Sequence, residues 1–149
     1  MNDIEEYLEE EGLTEDVTAN RTEEGVALVL QETILYDRGE ADLLEPGQDF
    51  LDEIGDLLES VPNHVRIEGH TDTRPMSSYR YPSNWELSGA RASSVIRYLL
   101  DEFDMDESRF SLIGYGEMRP VAKNNNEKNM AKNRRVEIII LDTDTEENN

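Results

Sequence analysis

Three short segments carry the side chains best suited to chemistry. Gly69-His70-Thr71-Asp72 leaves a carboxylate at the end of an alternating stretch. Asn84, Leu87 and Arg91 stand at i, i+3 and i+7, so an amide, an apolar group and a guanidinium share one face over two helical turns. Asn133-Arg134-Arg135 precedes an apolar run, and five of the fourteen basic residues fall between Lys123 and Arg135. Each segment alone has an ordinary explanation: a hydrogen-bonded strand face, a capped helix with a surface arginine, and local charge balance. His64, Glu68 and His70 lie on one strand face, but spacings of two and six residues separate them by roughly 6–7 Å and 20 Å. The two histidines therefore cannot share an ion, and no metal or cofactor is expected. No GxSxG elbow, Walker loop or HExxH occurs. With 35 acidic residues, a carboxylate pair is always on offer and identifies nothing. The chain is not read as an enzyme.

The elements that must position these groups follow from periodicity. Residues 3–11 pattern as a short helix, with Gly12 as its stop. Asp16 to Asn20 and Gly25 to Gln31 read as two strands joined by a hairpin, and Tyr36-Asp37-Arg38-Gly39 as a turn. After Pro46-Gly47, Phe50, Leu51, Ile54, Leu57, Leu58 and Val61 recur at helical spacing until Pro62. His64 to His70 alternates, with Val65 and Ile67 toward a core and the other face polar. Residues 71–82 form a loop. Ser83-Asn84-Trp85-Glu86 has the form of a capping box opening a helix to about Phe103. Phe110 to Tyr115 is a strand, 123–133 a polar loop, and Val136 to Leu141 a strand apolar enough to lie centrally, buried on both faces. The alternation predicts an α/β (α+β) two-layer sandwich, with helices packed on a mixed sheet.

Charge narrows the partners. Residues 1–60 hold 20 acidic side chains against Arg21 and Arg38, a net of −18; residues 61–141 hold 11 against 12, a net of +1; the last eight add −4, giving −21. Such a chain is repelled by nucleic acid and anionic bilayers, while its balanced middle could pair both charge signs with a ligand. There is no cysteine. No run approaches the ~18 apolar residues of a membrane helix, and no signal-peptide layout opens the chain, so it reads as soluble.

Taken in order, Gly69-His70-Thr71-Asp72, Asn84-Trp85-Glu86-Leu87-Ser88-Gly89-Ala90-Arg91-Ala92, Gly114-Tyr115-Gly116-Glu117 with Pro120, and Asn133-Arg134-Arg135-Val136-Glu137-Ile138 resemble the OmpA-like peptidoglycan-binding domain. Thr71-Asp72-Thr73-Arg74-Pro75 and Tyr81-Pro82-Ser83-Asn84-Trp85 are most similar to the flagellar motor stator B subunit, of the MotB/MotS type. Ile34-Leu35-Tyr36-Asp37 also fits a stator, with Tyr36 where Phe is usual.

The resemblance implies a βαβαβ core over 26–141 and a stator-type extension over 1–25, and the charge run over 142–149 reads as a disordered acidic tail. It implies non-catalytic anchoring of a motor to the wall through the stem peptide, in many members through diaminopimelate. Asp72 would take that residue's ammonium and Arg91 its carboxylate. Asn84 and Leu87 would line the pocket, and Arg134 would add a charge, with Arg135 as the alternative should the register differ by one. His70 and Thr71 would shape the loop. A homodimer, a stator A subunit reached through a membrane segment absent here, and an extracytoplasmic location are the further expectations.

Overall fold

A computed structural model describes residues 17–75 and 77–142. The expected helix over 3–11, its stop at Gly12 and nearly all of the acidic tail lie outside the described residues. The elements are β1 (Val17–Arg21), β2 (Gly25–Gln31), α1 (Glu32–Leu35), α2 (Glu45–Glu59), β3 (Val65–His70), α3 (Asn84–Glu102), a single 3₁₀ turn (Glu107–Arg109), β4 (Phe110–Gly116), α4 (Glu127–Asn133) and β5 (Arg135–Leu141). One five-stranded sheet runs in the order β1-β2-β5-β3-β4. β5 is antiparallel to both of its neighbours, whereas β3 and β4 are parallel, joined by the long crossover through α3. The two-layer mixed sheet is as the alternation predicts, and the apolar β5 does sit at its centre.

The core lies between the sheet and the two long helices. Val26, Leu28, Leu30, Val65, Ile67, Val136, Ile138 and Ile140 meet Leu51, Ile54 and Leu58 of α2 and Ala92, Val95 and Leu99 of α3, all fully or almost fully buried. The opposite sheet face is also closed, with Ala27, Ile139 and Leu141 buried. Here β3 departs from expectation. Its polar face is interior, with Glu68 7% and His70 3% exposed, because the neighbouring β5 supplies charged partners for it. Besides the 3₁₀ turn, two helices were not foreseen. Four residues after β2 form α1, and the polar stretch before β5 contains α4, capped by the Asn126 side chain accepting from the Asn129 N–H at 2.9 Å.

The seating of α3 decides the geometry at the end of β3. Ser83 caps the helix, accepting from the Trp85 N–H at 3.2 Å and donating to the Glu86 carboxylate. Glu86 therefore meets the cap's hydroxyl rather than its backbone N–H. One and a half turns on, α3 touches the sheet backbone to backbone: a Cβ on Gly69 would stand 2.1 Å from the Ser88 carbonyl oxygen, and one on Gly114 would stand 2.6 Å from the Gly89 nitrogen. The Ser88 hydroxyl also accepts from the Gly116 N–H at 3.0 Å. Glycines at these two strand positions let the helix approach until its N-terminal half overlooks the end of β3.

Gly69→Ala should therefore cost about 1–3 kcal/mol, since the obstructing atoms are backbone and the whole helix must shift. At about 2–4 °C per kcal/mol for a chain of this size, thermal denaturation should fall by several degrees. An unchanged melting temperature would show that α3 is not held at this contact.

Candidate functional site

The chain leaves β3 at His70 and turns away, carrying Asp72 out over the N-terminal half of α3. Asn84, at the first position of α3, holds that turn: its side-chain amide donates to the Arg74 carbonyl at 3.1 Å and to the Asp72 carbonyl at 3.4 Å. The Asp72 carboxylate accepts the Arg74 backbone N–H at 2.9 Å, closing a local turn of the kind aspartate favours. Leu87, one turn along, is buried against Ala41 and Tyr81. Arg91, a further turn along, is 3% exposed. All five residues singled out from sequence, Asp72, Asn84, Leu87, Arg91 and Arg134, line one pocket of about 150 Å³.

The three residues Asn133-Arg134-Arg135 have separate fates. Asn133 is fully buried and staples the preceding loop, accepting from the Val121 and Ala122 N–H groups at 2.7 and 3.1 Å and donating to the Ala122 carbonyl at 2.9 Å. Arg134 reaches the pocket, with Nη1 2.7 Å from the Asp72 carboxylate. Arg135 opens β5 and, by strand alternation, points to the far face, where Nε meets Glu137 at 2.7 Å. The register therefore favours Arg134 over its neighbour.

Two groups that govern the site were missed from sequence. Glu32, the first residue of α1, bridges two arginines: Arg91 Nη1 at 2.7 Å and Arg134 Nε at 3.1 Å. It is brought there because its backbone N–H donates to the Arg134 carbonyl at 2.9 Å, extending the β2–β5 pairing by one bond. No motif marks it. Arg74 sits on Asp72 through Nη2 at 2.7 Å and Nε at 3.0 Å, and an Asp-x-Arg spacing beside a strand end was the available signal.

Arg91, expected to offer its guanidinium to a ligand carboxylate, has all three guanidinium nitrogens engaged within the protein. Its Nε, Nη1 and Nη2 donate to the Glu40 carbonyl at 2.8 Å, the Glu32 carboxylate at 2.7 Å and the Asp37 carbonyl at 3.2 Å. The Tyr36 ring lies under the guanidinium at 4.7 Å. The Tyr36 hydroxyl donates to the Arg91 carbonyl at 2.8 Å and lies 3.0 Å from the Ser94 hydroxyl. Burial pushes the Tyr36 phenol up to about 12. The phenol oxygen is thus satisfied inside the core.

Electrostatically the pocket is an island. Arg38, Arg74, Arg91 and Arg134 line it against Glu32 and Asp72, a lining charge of 4 − 2 = +2 in a chain of −21. Glu127 of α4 leans on the rim, 2.7 Å from Arg134 and 3.2 Å from Arg74. Burial works against the Asp72 charge, but the hydrogen bonds from Arg74 and Arg134 outweigh it and hold the carboxyl below its ordinary 3.8.

The buried face of β3 is a second charged cluster. His70 Nε2 lies 3.2 Å from Glu68 and 3.8 Å from Glu137, and the three groups are close enough to hold an ion. Glu137, from β5, is the partner that the strand spacing could not reveal. Arg66 already binds Glu68 at 2.9 Å and Arg135 binds Glu137 at 2.7 Å, so the positive charge a cation would bring is in place. His70 stacks on Tyr115, with ring centroids 5.3 Å apart. A larger concavity of about 390 Å³ beside Pro62 and His64 lies at the other end of β3. Its Arg66 and Arg109 are engaged with Glu24 and with the Leu58 and Asn63 carbonyls.

The depressed Asp72 value fixes a sign for pH dependence. A carboxylate held low contributes stability that is present above its ordinary value and lost as pH falls through the folded one. The stability gap between the native chain and Asp72→Asn should be full at pH 7 and narrow steadily below about pH 4. Urea midpoints measured for both proteins across that range test it, and a gap independent of pH would contradict it.

The OmpA family model matches residues 35–134. The chain is 45% identical over 145 residues to the uncharacterized protein YtxE of Bacillus subtilis, covering 97% of this chain and 60% of that one. It is 33% identical over 147 residues to Motility protein B of Bacillus subtilis, covering 98% of this chain and 56% of that one. The chain thus spans little more than half the length of these relatives. Among solved structures, the cell wall anchor of the T6SS from Pseudomonas aeruginosa superposes with a TM-score of 0.83 at 32% identity, covering 92% of this chain and 96% of that one. By sequence and by fold, the chain belongs to the OmpA family.

Proposed function

We propose that the pocket binds the free amino-acid headgroup of a peptidoglycan stem peptide, without making or breaking a bond. The observation that carries this reading is the meeting of Asp72 and Arg134 at 2.7 Å, with Arg91 behind them, in one concavity at the end of β3. An ammonium and a carboxylate on one carbon need opposite charges a few ångströms apart, and this is where the chain holds them. The similarity to a cell wall anchor points the same way.

The finer reading is that the chain is the wall-anchoring part of a flagellar motor stator B subunit, held outside the cytoplasm by a membrane segment of its parent protein. There it would work as a homodimer beside a stator A subunit, giving torque a fixed point. Similarity to Motility protein B over 98% of the chain supports it. The similarity to the T6SS anchor favours a second reading, a general envelope anchor unconnected to the flagellum. Replacing the corresponding region of a stator B subunit with this chain separates the two: restored swimming supports the first, and wall binding without motility the second.

Co-sedimentation with purified sacculi tests the binding itself. Asp72→Asn, which takes away the acceptor for the ammonium, should weaken pelleting roughly ten- to a hundredfold, the scale of a charge-assisted contact of about 1.5–3 kcal/mol. Arg134→Gln should weaken it too, by removing the guanidinium that Asp72 and Glu32 share. Arg91→Ala should abolish it, but by leaving Glu32 short of a partner it should also lower the melting temperature. Equal pelleting of the native chain and the Asp72 and Arg134 variants would overturn the site. Soluble muropeptides released during incubation would overturn the non-catalytic reading.

A further inference from the structure

Every charge in the core of the pocket is already answered from within the protein. One carboxylate oxygen of Asp72 takes three N–H donors: Arg134 Nη1 at 2.7 Å, Arg74 Nη2 at 2.7 Å and Arg74 Nε at 3.0 Å. Arg134 commits its remaining nitrogens to Glu32 and Glu127, and Arg91 commits one to Glu32 and two to backbone carbonyls. A ligand ammonium can reach this oxygen only by displacing a guanidinium. Arg91 is 3% exposed and Arg134 13%, whereas Arg74 is 33% exposed, on a loop without helix or strand. The Arg74 side chain is therefore the group that leaves at least cost. Its backbone N–H stays on the other Asp72 oxygen and keeps the turn closed.

We propose that Arg74 is the specificity-determining residue of this pocket: its guanidinium occupies the ammonium position on Asp72, and, once displaced, it becomes the partner of the ligand's own carboxylate. The inference rests on the headgroup reading of the pocket. It follows that the site takes a zwitterion and rejects a plain amine. A bare ammonium breaks the Arg74–Asp72 pair and offers nothing in return. A zwitterion exchanges partners. Arg91 and Arg134 are committed to Glu32. Of the two remaining pocket arginines, Arg38 and Arg74, the freed Arg74 is the one already standing at Asp72, beside the ammonium, to receive the carboxylate.

Two synthetic tripeptides, L-Ala-γ-D-Glu-meso-diaminopimelate with the side-chain carboxyl free and the same peptide with that carboxyl as the amide, serve as probes in titration calorimetry. The native chain should prefer the free acid by about tenfold or more, the scale of one charge-assisted contact. In Arg74→Gln the preference should shrink to within about threefold, chiefly because the amide binds more tightly than it does to the native chain. Arg74→Lys, which can still leave and return as a cation, should retain the preference. A variant that weakens both peptides equally, or leaves their ratio as in the native chain, would overturn the proposal and make Arg74 a simple contact or loop strut. If the native chain binds neither peptide, the headgroup reading itself fails, which is a different result from a preference that ignores Arg74.

Discussion

The contact between the Ser88 carbonyl and the bare backbone of Gly69 sets the distance between α3 and the sheet, and with it the shape of the pocket. Because the helix cannot stand further off without opening the core beneath Val95 and Leu99, its first two turns are held rigidly over the end of β3. Asn84, Leu87 and Arg91 then fall at fixed heights above the turn that carries Asp72. The Ser83 cap, the Ser88–Gly116 bond and the Asn84 amide tie that same corner together from three directions. The site is built on two packed elements and one stapled turn, which is how weak polar contacts acquire precise geometry.

Upon this frame stands a chain of alternating charge: Arg91, Glu32, Arg134, Asp72, Arg74 and Glu127, each within 3.2 Å of the next. A buried arginine is tolerated only where its N–H groups find acceptors, and Arg91 finds two carbonyls, one carboxylate and an aromatic face. Each internal pair offsets the desolvation of the next, so the pocket can remain polar without collapsing or flooding. The same completeness leaves no empty slot among these groups: a ligand proposed for this pocket would have to exchange partners with them. In an otherwise strongly acidic molecule, the surplus of guanidinium groups also makes this one place locally positive.

The far face of the sheet solves the opposite problem. Arg66–Glu68 and Glu137–Arg135 flank His70, four charges that sum to zero. The cluster closes a sheet surface that would otherwise be apolar on one strand and charged on the next. It also explains why the adjacent Arg134 and Arg135 do different work: the first lines the pocket and the second joins the buried cluster on the far face.

Much of this was legible in the residues themselves. Periodicity of two in β3, the near-continuous apolar run of β5, periodicity near 3.6 in α2 and α3, the Ser83 cap and Pro62 all act over a few residues, so they show in a linear string. The i, i+3, i+7 spacing likewise places Asn84, Leu87 and Arg91 on one face wherever the helix happens to lie. The order of four short motifs was enough to bring Asp72 and Arg134 into the same account. What the string could not contain were pairings across the chain: Glu32 with Arg91, 59 residues away, and with Arg134, 102 away, or Glu137 beside His70. Coulomb attraction has no sequence pattern, because any of 35 carboxylates could answer any of 14 cations. Only the strand order β2-β5-β3, with α3 pressed onto its end, selects which of them meet.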